Sequence, residues 1–290
     1  MKPVAFEYHR PRTLDEALHL AAELDDAKLL AGGQSLMPMM NFRFVVPDHV
    51  IDLNSVPELS GIRESGSRLV IGAMTRQRDI ERSALVQEKV PLIPEAYQQV
   101  SHRQIRNRGT LGGSLCHLDP ASEQPCFLAA QGADMVVRSL RGERRVAMAD
   151  WTQGYMTPSL EQDEVLSAIE IDVWPSGHGY SFTEYSRRQG DYAIVGVAVL
   201  ATCDAQRRFR KLAIALCGVA AGPVRLHDLE RSLEGQLADE AAMLAAAQAA
   251  GAVDAVSDAH VTSDYRCHLA GVLTRRALDS AMRRMQGALA

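Results

Sequence analysis

Two glycine-centred segments, Ala31-Gly32-Gly33-Gln34-Ser35 and Gly109-Thr110-Leu111-Gly112-Gly113-Ser114, each follow a stretch that reads as regular structure. Paired glycines let a backbone take positive φ angles and come close to a ligand, so that successive peptide N–H groups converge on an anion. The flanking Ser and Thr add hydroxyl donors. Two such loops in one chain suit a diphosphate held from both sides, as in a dinucleotide. Neither matches G-x-x-x-x-G-K-[ST] or G-x-G-x-x-G, which disfavours a P-loop nucleotidase and a Rossmann fold alike. The scaffold has to be a different one.

The pattern around the loops predicts three regions. In residues 1–56, Thr13-Leu14-Asp15-Glu16 is a capping box, and Leu14, Leu18, Ala21 and Ala22 recur at helical spacing to about Leu24. Short strands over 28–31 and 50–53 complete a small α/β unit, with Pro47 and Pro57 as punctuation. Residues 57–174 read as mixed α+β. Strands fall at 69–73, 134–139 and 164–173, and helices at 75–80 with Thr75 as cap, 91–101 and 120–130. Pro175-Ser176-Gly177-His178-Gly179 is a linker. Residues 179–290 then show strands at 180–186, 193–203 and 212–219, followed by helices at 239–250 and 264–285 with Ser263 as cap.

Bulk properties remove several classes. With 47% hydrophobic and 23% charged residues the 290-residue chain has an ordinary globular composition, and its net charge of -5 offers no general attraction to nucleic acid. No basic stretch leads an apolar core at the N-terminus and no run of 18 apolar residues occurs, so a cytoplasmic location without membrane contact is the expectation. The five cysteines form no C-x-x-C pair, which leaves no cysteine-based zinc or iron–sulfur site. Cys203 and Cys217 read as small buried hydrophobes. Cys116 could be reactive, but packing is favoured. His102 and His117 lack H-x-x-x-H spacing and read as ordinary hydrogen-bonding histidines, with no metal expected. No nucleophile elbow appears.

Four segments together resemble the FAD-binding medium subunit of the molybdenum hydroxylases, the family of xanthine dehydrogenase, carbon monoxide dehydrogenase and quinoline oxidoreductase. They are the first loop extended to Leu36, the run Gln104-Ile105-Arg106-Asn107-Arg108 leading into the second loop, His117-Leu118-Asp119-Pro120-Ala121-Ser122-Glu123, and Arg187-Arg188-Gln189-Gly190-Asp191-Tyr192-Ala193. Their order and spacing extend the resemblance over nearly the whole chain.

The resemblance implies an α+β, two-subdomain FAD-binding fold of the PCMH/vanillyl-alcohol-oxidase type, followed by a C-terminal domain of a three-stranded antiparallel sheet with helices. It implies that Leu29, Leu30, Ala31, Gly32, Gly33, Gln34, Ser35 and Leu36 form one FAD loop and Thr110, Leu111, Gly112, Gly113 and Ser114 the other. Asp119 and Glu123 match cofactor-contacting positions, Val100 and Leu166 match apolar positions of the flavin pocket, and Tyr192 matches a residue near the isoalloxazine. Glu123 as a helix-dipole residue, Leu166 as plain core and Tyr192 as packing stay open alternatives. Arg103, Arg106 and Arg108 form a basic cluster left outside the site. Molybdopterin and [2Fe-2S] clusters are implied on a large and a small partner subunit, in a dimer of heterotrimers that serves an external electron acceptor. No catalytic side chain is implied, because a flavin carries its own redox chemistry. A stand-alone flavin oxidoreductase shares the scaffold and stays open beside this reading.

Overall fold

The computed structural model of the chain describes residues 1–288. Three larger sheets follow one another along the described residues, with a two-stranded ribbon, Thr152–Gly154 and Thr157–Pro158, beside them. The first is parallel, with strand order Glu7–His9, His49–Asp52, Ala27–Leu30. The helix Leu14–Glu23 packs against it through Ala17, Leu18 and Ala21. Thr13 caps that helix by accepting from the Glu16 N–H at 3.2 Å. The Glu16 carboxylate reaches back one residue further than a capping box requires, to the Arg12 N–H at 2.6 Å. The edge strand Glu7–His9 has no counterpart in the sequence reading.

The second sheet has five antiparallel strands in the order Ile62–Ser65, Arg68–Gly72, Val165–Asp172, Ala133–Ser139, Gly142–Ala147. A bulge between Leu166 and Ala168 interrupts its central pairing. There the Ser167 carbonyl turns aside to accept from the Ala73 N–H at 2.9 Å. Thr75, expected to cap a helix, instead joins the turn at Gly61, accepting from its N–H at 2.9 Å. The helix behind it runs Gln77–Arg82 and has no side-chain cap. The expected helix at 91–101 is shorter, Leu92–Tyr97, and is followed by a separate turn of helix at Arg103–Arg106.

Helix Glu123–Gln131 is buried on nearly every side, and so it shows no clear amphipathic pattern. It packs against Val195–Cys203 and Phe209–Cys217 of the third sheet as well as against Leu92–Tyr97 and Leu111–His117, so one core runs from the second sheet onto one face of the third, while a separate core fills that sheet's other face. That third sheet is antiparallel, Gly179–Tyr185, Val195–Cys203, Phe209–Cys217, with a two-residue strand Val224–Arg225 added at its edge beyond the three expected. The long helix Ser263–Ala288 lies across it. Ser263 is already inside that helix; Thr262 caps it, accepting from the Tyr265 N–H at 3.3 Å. Among the described residues no helix is long and apolar enough to cross a membrane.

Candidate flavin site

The two glycine loops touch. The strand Ala27–Leu30 delivers the first loop at the carboxyl end of the parallel sheet, where ligands of open α/β sheets commonly bind. A side chain at Gly32 would run into the Arg108 carbonyl oxygen and stand 2.8 Å from Gly109 Cα, so glycine is required here for the second loop to approach. Gly112 serves a different contact. A Cβ there would lie 2.5 Å from Ala73 Cβ and 2.8 Å from Ala73 O, so its absence seats the helix Leu111–His117 on the end of Arg68–Gly72.

The loops differ in what they offer a ligand. Among the described residues, nothing accepts a hydrogen bond from the backbone N–H groups of Gly32, Gly33, Gln34 or Ser35. Buried or semi-buried N–H groups without partners are costly. Four consecutive ones make a ready anion cradle. In the second loop the Leu111 N–H donates to Thr75 O, the Gly112 N–H to Ala73 O and the Gly113 N–H to Thr110 Oγ1. This side therefore offers hydroxyls more than amides, with Ser114 Oγ and Ser122 Oγ 3.2 Å apart. The first loop thus presents free amides and the second a hydroxyl-bearing wall.

Both loops line a single cavity of about 1050 Å³, at the upper limit of the usual size of ligand and cofactor sites. Leu29, Ala31, Gly32, Gly33, Gln34, Ser35, Leu36, Val100, Thr110, Gly112, Gly113, Ser114, Glu123, Leu166 and Tyr192 all face it. Leu30, Leu111 and Asp119 do not. The Leu30 side chain turns toward Gly33, and Leu111 is fully buried in the core behind. Asp119 spends a carboxylate oxygen on the Ala121 N–H at 2.9 Å.

Two polar groups fit a hydroxyl-rich ligand. Gln77 Oε1 is buried without a partner and its residue lines the cavity. Glu123 is 2% exposed and has no basic partner. Burial, with the nearby Glu184 charge adding, pushes its carboxyl up to about 8. At neutral pH it is largely a carboxylic acid, able both to donate and to accept. At the mouth, Gly190, Asp191 and Tyr192 arrive from the third sheet. Half of Tyr192 is exposed, while its hydroxyl end is enclosed near Ser35, and that enclosure pushes the phenol up.

Cys116 and His117, beside the second loop, are not poised for chemistry. Burial pushes the Cys116 thiol up to about 12, which makes it a packed, unreactive group. Burial also lowers His117 below its usual value, so it lines the cavity as a neutral ring. Arg106 is buried against Glu81 and the carbonyls of Val100 and Ser101 and is structural.

A residue without any sequence signal ties the loops from behind. Arg76 donates to Asn54 Oδ1 at 2.6 Å and to the Arg108 carbonyl, while Asn54 Nδ2 donates to Ala31 O at 2.9 Å. Through Asn54, one guanidinium thus bridges the start of the first loop to the start of the second. Losing these charge-assisted bonds costs about 1–2 kcal/mol. Arg76→Ala is expected to raise the FAD dissociation constant by about tenfold. Flavin fluorescence titration measures it, and an unchanged constant would show that the bridge is idle.

A dinucleotide-sized cavity, an amide cradle and a non-Rossmann α+β frame define a dinucleotide-binding region with a packed C-terminal domain. Comparison with known proteins narrows this. Residues 4–174 match the FAD binding domain in molybdopterin dehydrogenase, and residues 180–281 match the CO dehydrogenase flavoprotein C-terminal domain. The chain belongs to this family of FAD-binding subunits of molybdopterin-dependent oxidoreductases. Caffeine dehydrogenase subunit beta of a Pseudomonas species is 40% identical, with 98% of this chain and 97% of the relative covered. Among solved structures, carbon monoxide dehydrogenase from Hydrogenophaga pseudoflava superposes with a TM-score of 0.95 at 40% identity, covering 98% of this chain and 99% of that one. Quinoline 2-oxidoreductase from Pseudomonas putida 86 gives 0.93 at 36% identity over 100% of both chains.

Proposed function

We propose that the chain is the electron-transfer subunit of a heterotrimeric molybdenum hydroxylase, taking reducing equivalents from [2Fe-2S] clusters of a small partner and passing them to an external acceptor. The substrate is oxidised at molybdenum on a large partner, and two heterotrimers pair in the assembly. An N-heteroaromatic is our preferred substrate, supported by the caffeine and quinoline enzymes among the full-length likenesses; carbon monoxide, named by equally similar relatives, is the second reading. The observation that carries the reading is the row of free amides at Gly32–Ser35 facing a cavity walled by the second loop.

FAD, when bound, supplies the step between one-electron and two-electron carriers. The chain's own residues hold and shield it. The amides of residues 32–35 take the diphosphate, and Ser114 and Ser122 face it from the opposite wall. Gln77 and the protonated Glu123 meet hydroxyls, while Val100 and Leu166 exclude water. Tyr192 stands over the mouth, where an acceptor docks. Native purification of the tagged chain should recover a larger molybdenum-containing and a smaller iron–sulfur subunit with one flavin per chain. That complex should oxidise an N-heteroaromatic with a dye acceptor. Turnover of such a substrate by the isolated chain would overturn the reading in favour of a self-sufficient flavin enzyme.

A further inference from the structure

Away from the flavin cavity, the parallel sheet gathers three metal-ligating side chains. The register that pairs Glu7 with His49 sets them side by side on neighbouring strands. Side chains alternate along a strand, so His9 returns to the face of Glu7. Glu7 Oε2, His9 Nε2 and His49 Nδ1 converge there. His9 Nε2 is 3.2 Å from His49 Nδ1, Glu7 Oε2 is 3.5 Å from His49 Nδ1, and Glu7 Oε2 is 3.9 Å from His9 Nε2. The rings are tilted by 53°, so no stacking between them accounts for the approach. The side chains of His9 and His49 are 23% and 22% exposed, while Glu7 reaches in from solvent at 75%.

We propose that this cluster is a divalent metal site of the zinc class, with two imidazoles and one carboxylate as ligands and the remaining position open to water. Geometry is the main argument. A triangle with sides of 3.2, 3.5 and 3.9 Å has a circumradius of about 2.1 Å, which equals the bond lengths zinc makes to His nitrogen and carboxylate oxygen. One ion can therefore sit within zinc bonding distance of all three atoms at once. The imidazoles and the carboxylate can also contact one another pairwise, and a single ion at their centre satisfies all three at once. The mixed nitrogen and oxygen set selects a first-row transition ion over magnesium or calcium, which take oxygen ligands.

The site also has a structural consequence. The strand Glu7–His9 is three residues long and lies at a sheet edge. Its central residue, Tyr8, points the other way and donates to Asp52 Oδ2 at 2.5 Å, and Asp52 in turn accepts from the Asn54 N–H at 2.9 Å. A metal on one face would lock this strand to His49–Asp52, the strand that leads into the Asn54–Arg76 bridge behind the flavin loops.

The test is a Zn²⁺ titration of the full chain after dialysis against a chelator. Calorimetry should show one more equivalent bound by wild type than by the double variant His9→Ala/His49→Ala. Co²⁺ should give ligand-field absorption in wild type alone, and Zn²⁺ should raise the melting temperature of wild type only. Glu7→Gln, an exposed change that leaves packing intact, should weaken Zn²⁺ binding by at least about tenfold. Equal stoichiometry in wild type and double variant, or unaltered affinity in Glu7→Gln, overturns the proposal. Flavin content of each variant separates this outcome from any failure of the flavin assignment.

Discussion

Gly32→Ala is expected to strip the chain of flavin, leaving less than about a tenth of the wild-type flavin absorbance per purified chain. The added methyl has nowhere to go. It would meet the Arg108 carbonyl oxygen and lie 2.8 Å from Gly109 Cα and 2.9 Å from the Arg108 carbonyl carbon, all backbone atoms. Backbone cannot swing aside as a flexible side chain can, so the two loops must part. Overpacking of this kind costs about 1–3 kcal/mol. The first loop carries the four free amides proposed to hold the diphosphate, so on that reading the cost falls on cofactor binding. Gly154→Ala is the matched control, because its nearest neighbour would be Thr157 at 3.9 Å. Wild-type flavin content in Gly32→Ala would mean that the loops do not close over the cofactor as the contact requires.

Local patterns carried the elements that are long or strongly punctuated. The helix Leu14–Glu23 has its cap and its apolar stripe within one stretch of sequence, and Arg68–Gly72 and Val165–Asp172 are apolar runs bounded by turns. Elements defined by partners far along the chain were not legible. The strand Glu7–His9 is short and mostly exposed, so it has no alternation to detect; its pairing with His49–Asp52 alone makes it a strand. Thr75 followed by polar residues imitates a helix cap, yet its hydroxyl is claimed by Gly61, 14 positions earlier. The site shows the same division. Glycine loops announce themselves, whereas Arg76, Asn54 and Gln77 act through contacts between separate segments and leave no spacing to read. Leu30, Leu111 and Asp119 sit beside residues that line the cavity, and only the direction of each side chain sets them apart.

Glu123→Gln is expected to make the apo chain more stable at alkaline pH and to flatten its stability profile. In the folded chain burial raises Glu123 to about 8 from the 4.5 of an exposed glutamate. The folded state therefore binds more protons than the unfolded state between those values, and stability falls as pH rises. The contribution of the neutral acid is complete below about pH 4.5 and is lost by the time pH passes about 8. Glu184, raised by burial to about 7, slopes the same way and remains in the variant. The amide that replaces the Glu123 carboxyl has no proton to lose in this range. At about 1.4 kcal/mol per pKa unit, and with relaxation around the site reducing the full shift, the gain at pH 8.5 is on the order of 2–4 kcal/mol. That corresponds to a melting temperature higher by about 5–10 °C. Flavin binding should respond differently. An amide, like the protonated acid, has one group to donate and one to accept, so Glu123→Gln should hold FAD within about threefold of wild type. Glu123→Leu loses both and leaves ligand hydroxyls unpaired, which should weaken FAD by about tenfold or more. Parallel melting profiles for wild type and Glu123→Gln from pH 5 to 8.5 would show that this carboxyl does not titrate in that window, and the neutral acid would then have no place in cofactor binding.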